Sequence, residues 1–228
     1  MVKTSSFTDL HAEPLSVAKA REWILSVTGK KPHASSISYA VVSPNGELLF
    51  GVVTFGPPIG RYAATSVSPQ ANPEKVLQLT NLVLDPFIVS LLPSVTKAKV
   101  LGAVIQRLKE HTDIEVVMAY VDPTKETGEI YEELGGIYQG NSMKLRPSYI
   151  HKVKGEYLHP RTCWDLYGTV RADLLQEVDP NYYRIPLPKK HRYIFVLRDE
   201  DEICATLKHP ALPYPNWDEL KVQVPQAI

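Results

Sequence analysis

Hydrophobic residues near the start of the chain recur at the spacing of an α-helix, and a glycine follows them. The positions that would share one face over residues 15–28 are Val17, Ala20, Ile24 and Val27. Gly29 comes next, and glycine often ends a helix because it adopts a positive φ without steric cost. The pattern therefore predicts an amphipathic helix that ends at Gly29.

The segment SISYAVVSPNGELLFGVVTFG, residues 36–56, predicts a β-hairpin. Two runs rich in β-branched and aromatic residues flank Asn45-Gly46. Asn and Gly suit a tight turn because both tolerate positive φ. We therefore expect two antiparallel strands early in the chain.

The middle of the chain predicts a strand, a helix and a second, parallel strand. The first strand covers residues 76–86, and Asn81 interrupts its apolar face, so this position needs a hydrogen-bond partner or a β-bulge. A helix opens near Ser94. The run IEVVMAYV after it is apolar almost without alternation, as in a strand that is covered on both faces and has a parallel neighbour. A short helix and more strands follow, which predicts an α/β fold: a mixed sheet with helices on both faces.

The length and composition fit one domain with additions. The 228 residues are 44% apolar, which is enough for a sizeable core. The periodic pattern fades near Tyr149, after which Tyr, His, Arg and Lys are frequent. We expect a single domain over residues 1–228, with its core at about 14–145 and an irregular C-terminal elaboration at about 146–228.

Charge and cysteine usage narrow the function classes only slightly. Lys plus Arg equal Asp plus Glu at 25 each, so the net charge does not favour nucleic acid, although a local basic face would still bind it. Cys163 and Cys204 follow no metal or redox spacing, as expected in a reducing compartment. The first residues lack the apolar core of a secretory signal, and no apolar run is long enough to span a bilayer. We expect a soluble, cytoplasmic protein with no membrane partner.

Asp122 ends the central apolar strand, and Tyr131 follows on the short helix. Ligands of open sheets gather at the carboxyl ends of parallel strands, where a carboxylate can accept a proton, orient an amine or hold a metal. The phenol of Tyr131 could protonate a leaving group or bond a base. Each residue also has a structural interpretation, because Asp122-Pro123 can start a turn and a tyrosine can cover a helix–sheet contact.

A second group of candidates lies on the 76–86 strand and at the start of the helix that follows it. Backbone N–H groups at a helix N-terminus bind anions, so a cofactor phosphate or carboxylate could lie there. The candidate cofactor-binding residues are Asn81, Ser94, Thr96 and Lys97. The alternatives are an N-cap serine and a buried, hydrogen-bonded asparagine. An acyl-CoA-type donor and a metal ion both stay open.

The C-terminal third of the chain interleaves cations with tyrosines, which favours contacts with DNA. Cations follow phosphates, and aromatic rings stack on bases. The candidate DNA-binding residues, including one from a long polar loop, are Arg61, Arg146, Lys152, Lys154, Arg161, Lys190 and Arg192. The alternative for most of them is a solvated surface.

Two resemblances rest on these segments. The order of elements, with TGEIYEELGGIYQG after the central strand, resembles the GNAT N-acyltransferase fold, in which the tyrosine-bearing helix ends at Leu-Gly-Phe; here Gly136 replaces the phenylalanine. The blocks FGPPIGR, LTNLVLD, AYVDP with TGEIY, PKKHRYIFVL and LPYP are similar, in that order, to the bacteriophage Mom-type DNA modification family. These blocks cover roughly residues 31–215.

The Mom resemblance implies a GNAT-like enzyme that converts DNA adenine to its N6-carbamoylmethyl form. Such a phage protein would act in the host cytoplasm and hide phage DNA from restriction enzymes. Its partners would be adenine-containing DNA and a small acyl-like donor, and the base would be extruded from the duplex or met in a single strand. The resemblance gives catalytic roles to Asp122, Tyr131 and His33, the last as a base or metal ligand, whereas a lone loop histidine is otherwise simply solvated. The oligomeric state stays open.

The chain departs from the family pattern at two places. Glu126 and Thr127 stand before Gly128, where many members have histidine, and Ser94 and Thr96 are the nearest residues to the family's Asn and Ser at the long helix. The pyrophosphate loop of ordinary acyl-CoA transferases is also missing from DPFIVSLLPSVTKAK. Three hypotheses therefore stand: a Mom-type adenine-modifying enzyme, an acyl-CoA-dependent N-acyltransferase acting on a small amine or a protein, and a DNA-binding module without catalysis.

Overall fold

The structure of the chain, a computed structural model, describes most of the sequence. The described residues are 10–60, 62–123, 125–141, 146–151, 157–158, 160–187 and 189–221. For some of these it describes the backbone alone, namely residues 146–148, 150–151, 157–158, 160–161, 183–187 and 221.

The described chain contains ten strands and eight α-helices. In chain order the first elements are β1 (His11–Pro14), α1 (Val17–Thr28), β2 (Ile37–Val42), β3 (Leu49–Gly56), β4 (Val76–Leu84), α2 (Pro86–Leu91), α3 (Lys97–His111), β5 (Val116–Val121), α4 (Glu129–Glu133) and β6 (Ile137–Asn141). The later elements are β7 (Arg146–His151), β8 (Tyr157–Leu158), α5 (Pro160–Tyr167), α6 (Ala172–Val178), β9 (Tyr182–Leu187), β10 (His191–Val196), α7 (Glu200–Ala205) and α8 (Trp217–Lys221). Two short 3₁₀ turns, Ala64–Ser66 and Pro73–Lys75, lie between β3 and β4.

The chain divides into two compact units. The first comprises the described parts of residues 1–120, 129–139 and 192–213, and the second comprises those of residues 121–128, 140–191 and 214–228. The split does not follow chain order, because residues 192–213 belong to the first unit. From the sequence we expected this segment to belong to the C-terminal elaboration, because strand pairing with distant residues leaves no local signal.

The described strands form a large mixed sheet and a small antiparallel one. The large sheet has the order β1-β2-β3-β4-β5-β10-β6. Strands β1 to β4 pair antiparallel, including the predicted hairpin of β2 and β3, whereas β4 and β5 pair in parallel. The prediction of a mixed α/β sheet with a parallel join in the middle is confirmed.

Helix α1 forms as its hydrophobic pattern predicts. The Ser16 hydroxyl caps its N-terminus, and Gly29 ends it with φ of 66°. Ala20 and Ile24 are buried against Val52 of β3. Their spacing places both side chains on one face, which therefore becomes the contact with the sheet.

Helices cover both faces of the sheet at β10. Ile203 of α7 packs in a buried cluster with Ile194 and Met118. Tyr131 of α4 stacks on Tyr193, with ring centroids 5.4 Å apart. Successive residues of a strand face opposite sides. Ile194 and Tyr193 therefore contact helices on opposite faces.

Strand β4 contains a β-bulge. In its pairing with β3, Thr54 lies opposite Asn81 and Phe55 lies opposite Leu79, so Thr80 is the extra residue. A bulge bends the strand and increases its twist. The sequence predicted either a bulge or a hydrogen-bond partner at Asn81, and the bulge is present.

The long helix α3 begins later than the sequence predicted. It starts at Lys97, and Thr96 rather than Ser94 is its N-cap, with the Thr96 hydroxyl accepting the Lys99 N–H at 3.2 Å. Helix α2, which was not predicted, precedes it and is capped by the Asp85 carboxylate. Its six residues are too few for a clear periodic pattern.

The second unit contains its own small sheet, with the order β8-β7-β9 and antiparallel pairing. Tyr149 and Tyr182 from this sheet form a buried cluster with Cys163 of α5 and Leu175 of α6. The segment that was expected to be an irregular elaboration therefore has regular structure and a local core.

Gly136 stands where the resemblance places phenylalanine, and its surroundings explain the difference. A Cβ atom there would lie 2.9 Å from Cζ of Phe195 and 2.9 Å from the carbonyl oxygen of Tyr131. We expect Gly136→Ala to lower the free energy of unfolding by about 1–3 kcal/mol in chemical denaturation, because a backbone oxygen cannot move away as a flexible side chain can.

The matched control is Gly102→Ala in α3, where the new Cβ would meet only the end of the Leu134 side chain, at 3.0 Å. Alanine also favours a helix more than glycine does, so this variant is expected to be as stable as the parent or more stable. Unchanged stability of Gly136→Ala would contradict the packing described here.

Candidate functional site

Strands β4 and β5 pair only along their first residues. The parallel ladder joins Val76–Gln78 to Val116–Met118. Strand β4 then continues to Leu84 with β3 as its partner. Beyond Gln78 the described ladder to β5 stops, and such an opening between parallel strands is where ligands of open sheets bind.

The bulge at this opening is held by side-chain hydrogen bonds. Asn81 accepts the His33 backbone N–H through Oδ1 at 3.2 Å and donates through Nδ2 to Oγ1 of Thr54 at 2.7 Å. The hydroxyls of Thr54 and Thr80 are 2.8 Å apart. Asn81 thus also has the partners that the sequence predicted for it. The structure brings His33 to Asn81 through its backbone, while the His33 side chain is exposed.

Gln78, the last residue of the ladder, anchors the loop that follows β3. Its Oε1 accepts the Ile59 N–H at 2.9 Å, and the Gln78 side chain is buried. The Pro57-Pro58-Ile59-Gly60 loop is therefore fixed at the point where β4 and β5 separate.

A cavity of about 540 Å³ lies at the carboxyl end of β4. Its lining residues are Thr28, Leu82, Val83, Leu84, Pro86, Val89, Pro93, Val95, Thr96 and Lys97. The walls are mainly aliphatic, and Thr96 and Lys97 at the start of α3 are part of the lining. Two of the four cofactor candidates, Thr96 and Lys97, line this cavity. Ser94 is exposed and does not line it. Asn81 does not line it either, but it immediately precedes the lining residue Leu82.

The composition of this cavity favours an elongated ligand with one charged end. Aliphatic walls bind an apolar chain, while helix N–H groups and the Lys97 ammonium favour an anion. The sequence identified the helix start as an anion site but missed the cavity. Part of its wall, Pro86 and Val89, comes from α2, which carried no clear signal in the sequence, although Asn81 marked the strand that lines another part.

Asp122 follows β5 and belongs to the second unit. It is 8% exposed, and its carbonyl oxygen accepts the N–H groups of Lys125 at 2.9 Å and Glu126 at 3.1 Å. The backbone thus makes the turn that the structural interpretation predicted. Burial of the carboxylate is a further feature, because a carboxylate at this depth is rare unless its charge is compensated.

Tyr131 belongs to the first unit and is 3% exposed. Besides stacking on Tyr193, its ring lies 6.3 Å from that of Phe195, centroid to centroid. The Tyr193 hydroxyl donates a hydrogen bond to the Glu132 carboxylate at 2.9 Å. The pKa of neighbouring Tyr138 is raised, mainly by burial and secondly by the negative charge of Glu132. The ring of Tyr131 is therefore a core contact between α4 and β10, as the structural interpretation predicted.

Few of the DNA-binding candidates have described side chains. Arg61, Lys152 and Lys154 lie outside the described residues, and the side chains of Arg146 and Arg161 do too. The remaining two are Lys190, which is half-buried in the second unit, and Arg192, which is 7% exposed in the first. A contact with DNA phosphates requires an accessible cation, so Arg192 does not fit the role that the sequence suggested.

The described residues contain neither a metal-binding cluster nor a helix that could span a membrane. No group of three or more His, Cys, Asp and Glu side chains in this part of the chain is arranged to hold a metal ion. Within the same residues, no helix has both the length and the apolar character needed to cross a membrane.

Comparison with known families finds one match that spans both units. The model of the Mom protein family matches residues 14–216. Comparison with curated proteins finds no match. The family match thus extends beyond the segments whose resemblance the sequence displayed.

The solved structures include several acetyltransferases that are similar to this chain. One is a GNAT-family acetyltransferase from Bacillus anthracis, with 11% identity, a TM-score of 0.39 and coverage of 81% of this chain and 77% of that one. Another is a spermidine N-acetyltransferase from Vibrio cholerae, with 8% identity, a TM-score of 0.45 and coverage of 82% and 94%. A third is an acetyltransferase from Bacillus subtilis in complex with CoA, with 11% identity, a TM-score of 0.43 and coverage of 82% and 99%. At such low identities and TM-scores, the similarity to these structures gives no information about the substrate.

Substitution of Asn81 tests whether its side chain holds the bulge. Asn81→Ala removes the acceptor of the His33 N–H and the donor to Thr54, and we expect the free energy of unfolding to fall by about 1–3 kcal/mol. Asn216→Ala is the control, since this asparagine is exposed and its amide makes only local hydrogen bonds among the described residues, accepting the Asp218 N–H at 3.1 Å and donating to Glu219 at 2.9 Å. Equal, small losses in both variants, measured by urea denaturation, would show that the bulge does not depend on Asn81.

Proposed function

The chain belongs to the Mom protein family, and from this premise we propose that it is a transferase that modifies the N6 amino group of adenine in DNA. The observation that carries the proposal is the family match over residues 14–216, which includes the opening of the sheet, Asp122 and the basic C-terminal third. The group transferred would be of the carbamoylmethyl type, as the family resemblance implies.

The chemistry requires one bond to form and one to break at a carbon atom of the donor. Adenine N6 attacks this carbon, and the bond to the leaving group breaks with its electron pair. N6 then loses a proton, and a base that accepts this proton lowers the barrier. The leaving group needs either a proton or a compensating positive charge.

We assign the proton acceptor to Asp122. Its position supports this role, because Asp122 directly follows a parallel strand and ligands of open sheets gather at the carboxyl ends of such strands. Tyr131 and His33 remain candidates for proton transfer. Tyr131 is the weaker of the two on structural grounds, because stacking against β10 already accounts for its burial.

The donor would bind in the cavity at the end of β4. Its aliphatic walls and the α3 N-terminus with Lys97 support an apolar or extended donor that ends in a phosphate or carboxylate. The missing pyrophosphate loop argues against a donor held in the manner of ordinary acyl-CoA transferases. The cavity is therefore proposed to bind the donor without that loop.

The adenine must leave the base stack before its N6 group can enter a protein site. Unstacking costs a few kcal/mol, which cations on the backbone and aromatic rings on the bases can offset. Lys190 and the other cations that the sequence suggested for DNA contacts, apart from the buried Arg192, are the candidates for these contacts.

Replacement of Asp122 tests the proposed enzyme directly. DNA from cells that produce the chain is expected to contain a modified deoxyadenosine, detected by mass spectrometry of digested nucleosides. We expect Asp122→Asn, which is isosteric but a poor base, to reduce the yield of modified deoxyadenosine by about 100-fold.

Asp85→Asn is the matched control for this prediction. The Asp85 carboxylate caps α2 by accepting the N–H groups of Phe87 and Ile88, and asparagine caps a helix equally well. This variant should keep the parent yield. A normal nucleoside profile for the parent chain, together with transfer to free amines from an acyl-CoA, would contradict DNA modification and favour the N-acyltransferase.

Blocking the cavity tests the donor site separately. Val89→Trp places an indole on a lining residue of α2, and we expect the yield of modified adenine to fall by about tenfold or more, because a displaced donor loses alignment. Leu91→Trp is the control, since Leu91 lies on the same helix, is 59% exposed and does not line the cavity. Equal yields from the two variants would place the donor elsewhere.

A further inference from the structure

Arg192 is a buried cation with unused hydrogen-bond donors. Arg192 is 7% exposed and lies near the start of β10, within the first unit. Nη1 donates to Oγ of Ser66 at 3.0 Å, while Nε and Nη2 have no hydrogen-bond partner among the described residues. None of the ion pairs formed by described side chains includes Arg192.

The two unused nitrogens form one edge of the guanidinium group. Their N–H bonds point in the same direction, which is the arrangement that binds two oxygens of a carboxylate or phosphate side by side. The Ser66 hydroxyl cannot supply a second acceptor for this edge, because it is engaged by Nη1 and donates its own proton to the Ala63 carbonyl at 2.7 Å.

Among the described residues, no carboxylate is paired with this cation. Its neighbours include the phenol of Tyr120 and the imidazole of His209. Burial, followed by the Arg192 cation, lowers the pKa of His209, so this histidine is neutral at pH 7. Burial likewise lowers the pKa of Arg192, although an arginine stays protonated. Leaving a charged, unpaired donor edge buried is strongly unfavourable, and a bound anion would relieve that cost.

A second buried polar atom lies in the same neighbourhood. Gln139 donates through Nε2 to the carbonyl oxygen of His209 at 2.8 Å, while its Oε1 has no partner among the described residues. Gln139 is 7% exposed. Arg192 and Gln139 thus both neighbour His209, the first with two unused donors and the second with an unused acceptor.

We propose that Arg192 binds an oxyanion of a small ligand, a carboxylate or a phosphate, and that Gln139 accepts a hydrogen bond from a donor group of the same ligand. A small ligand is favoured over the DNA backbone because so little of Arg192 is accessible. The site is distinct from the cavity at the end of β4, which Arg192 does not line, and the inference does not depend on the proposed function.

The test is the thermal unfolding of the full chain in matched low-chloride buffers with sodium phosphate, sodium sulfate or sodium acetate. Phosphate at pH 7 carries both oxyanions and a hydroxyl, sulfate carries only oxyanions, and acetate represents a carboxylate without a donor. We expect phosphate or acetate to raise the midpoint temperature of thermal unfolding of the parent chain by about 3 °C or more. Phosphate should exceed sulfate, and Gln139→Leu should remove that difference. The stronger of phosphate and acetate identifies the ligand's anionic group.

Two variants of Arg192 and one control decide the outcome. Arg192→Met should lose the response to all three anions, and in their absence it should be at least as stable as the parent, because a buried charge has been removed. Arg192→Lys keeps the charge but not the fork, so its response should be weaker. Arg198→Met is the control, since Arg198 donates to the carbonyl groups of Thr112 and Lys109, and it should lose stability while keeping the anion response.

Three results would overturn the proposal. One is an equal response of the parent and Arg192→Met, which would indicate a general salt effect. Another is a loss of stability in Arg192→Met without added anions, which would give Arg192 a structural role. The third is a short DNA duplex that stabilises the parent but not Arg192→Met, which would assign Arg192 to a DNA phosphate instead.

Discussion

The separation of β4 from β5 after Gln78 is the constraint on which the first unit depends. Parallel pairing holds the strands together for three residues of each, and the bulge at Thr80 then bends β4 while it stays paired with β3. Hydrogen bonds from Asn81 to the His33 backbone and to Thr54 hold this bend. A straight β4 would continue the ladder to β5 and close the opening.

The functional proposals follow from what lies beside this opening. Residues of the end of β4, of α2 and of the start of α3 line a mainly aliphatic cavity, and Lys97 is one of them. Near the carboxyl end of β5, Tyr120 neighbours Arg192, whose guanidinium edge lacks a partner among the described residues. The same sheet thus carries the two places that we propose bind anions, one open and lined with aliphatic side chains, the other buried and polar.

The sequence predicted the elements that have strong local patterns. Ala20 and Ile24 marked the buried face of α1, Asn45-Gly46 marked the hairpin, and the unbroken apolar run of β5 predicted its parallel neighbour. Features that depend on distant residues were not predictable. Strand β10 enters the large sheet through pairing that no local pattern encodes, and the burial of Arg192 depends on the same event.

The opening of the sheet can be measured directly by hydrogen exchange of backbone amides along β4, observed by NMR. If the strands separate after Gln78, amides of Leu79–Leu84 that point toward β3 should exchange slowly and those that point toward β5 should exchange fast, so that protection alternates along the strand. Uniformly slow exchange through Leu84 would mean that β4 remains paired on both sides. That result would contradict the account, because no opening would then exist for a ligand to enter.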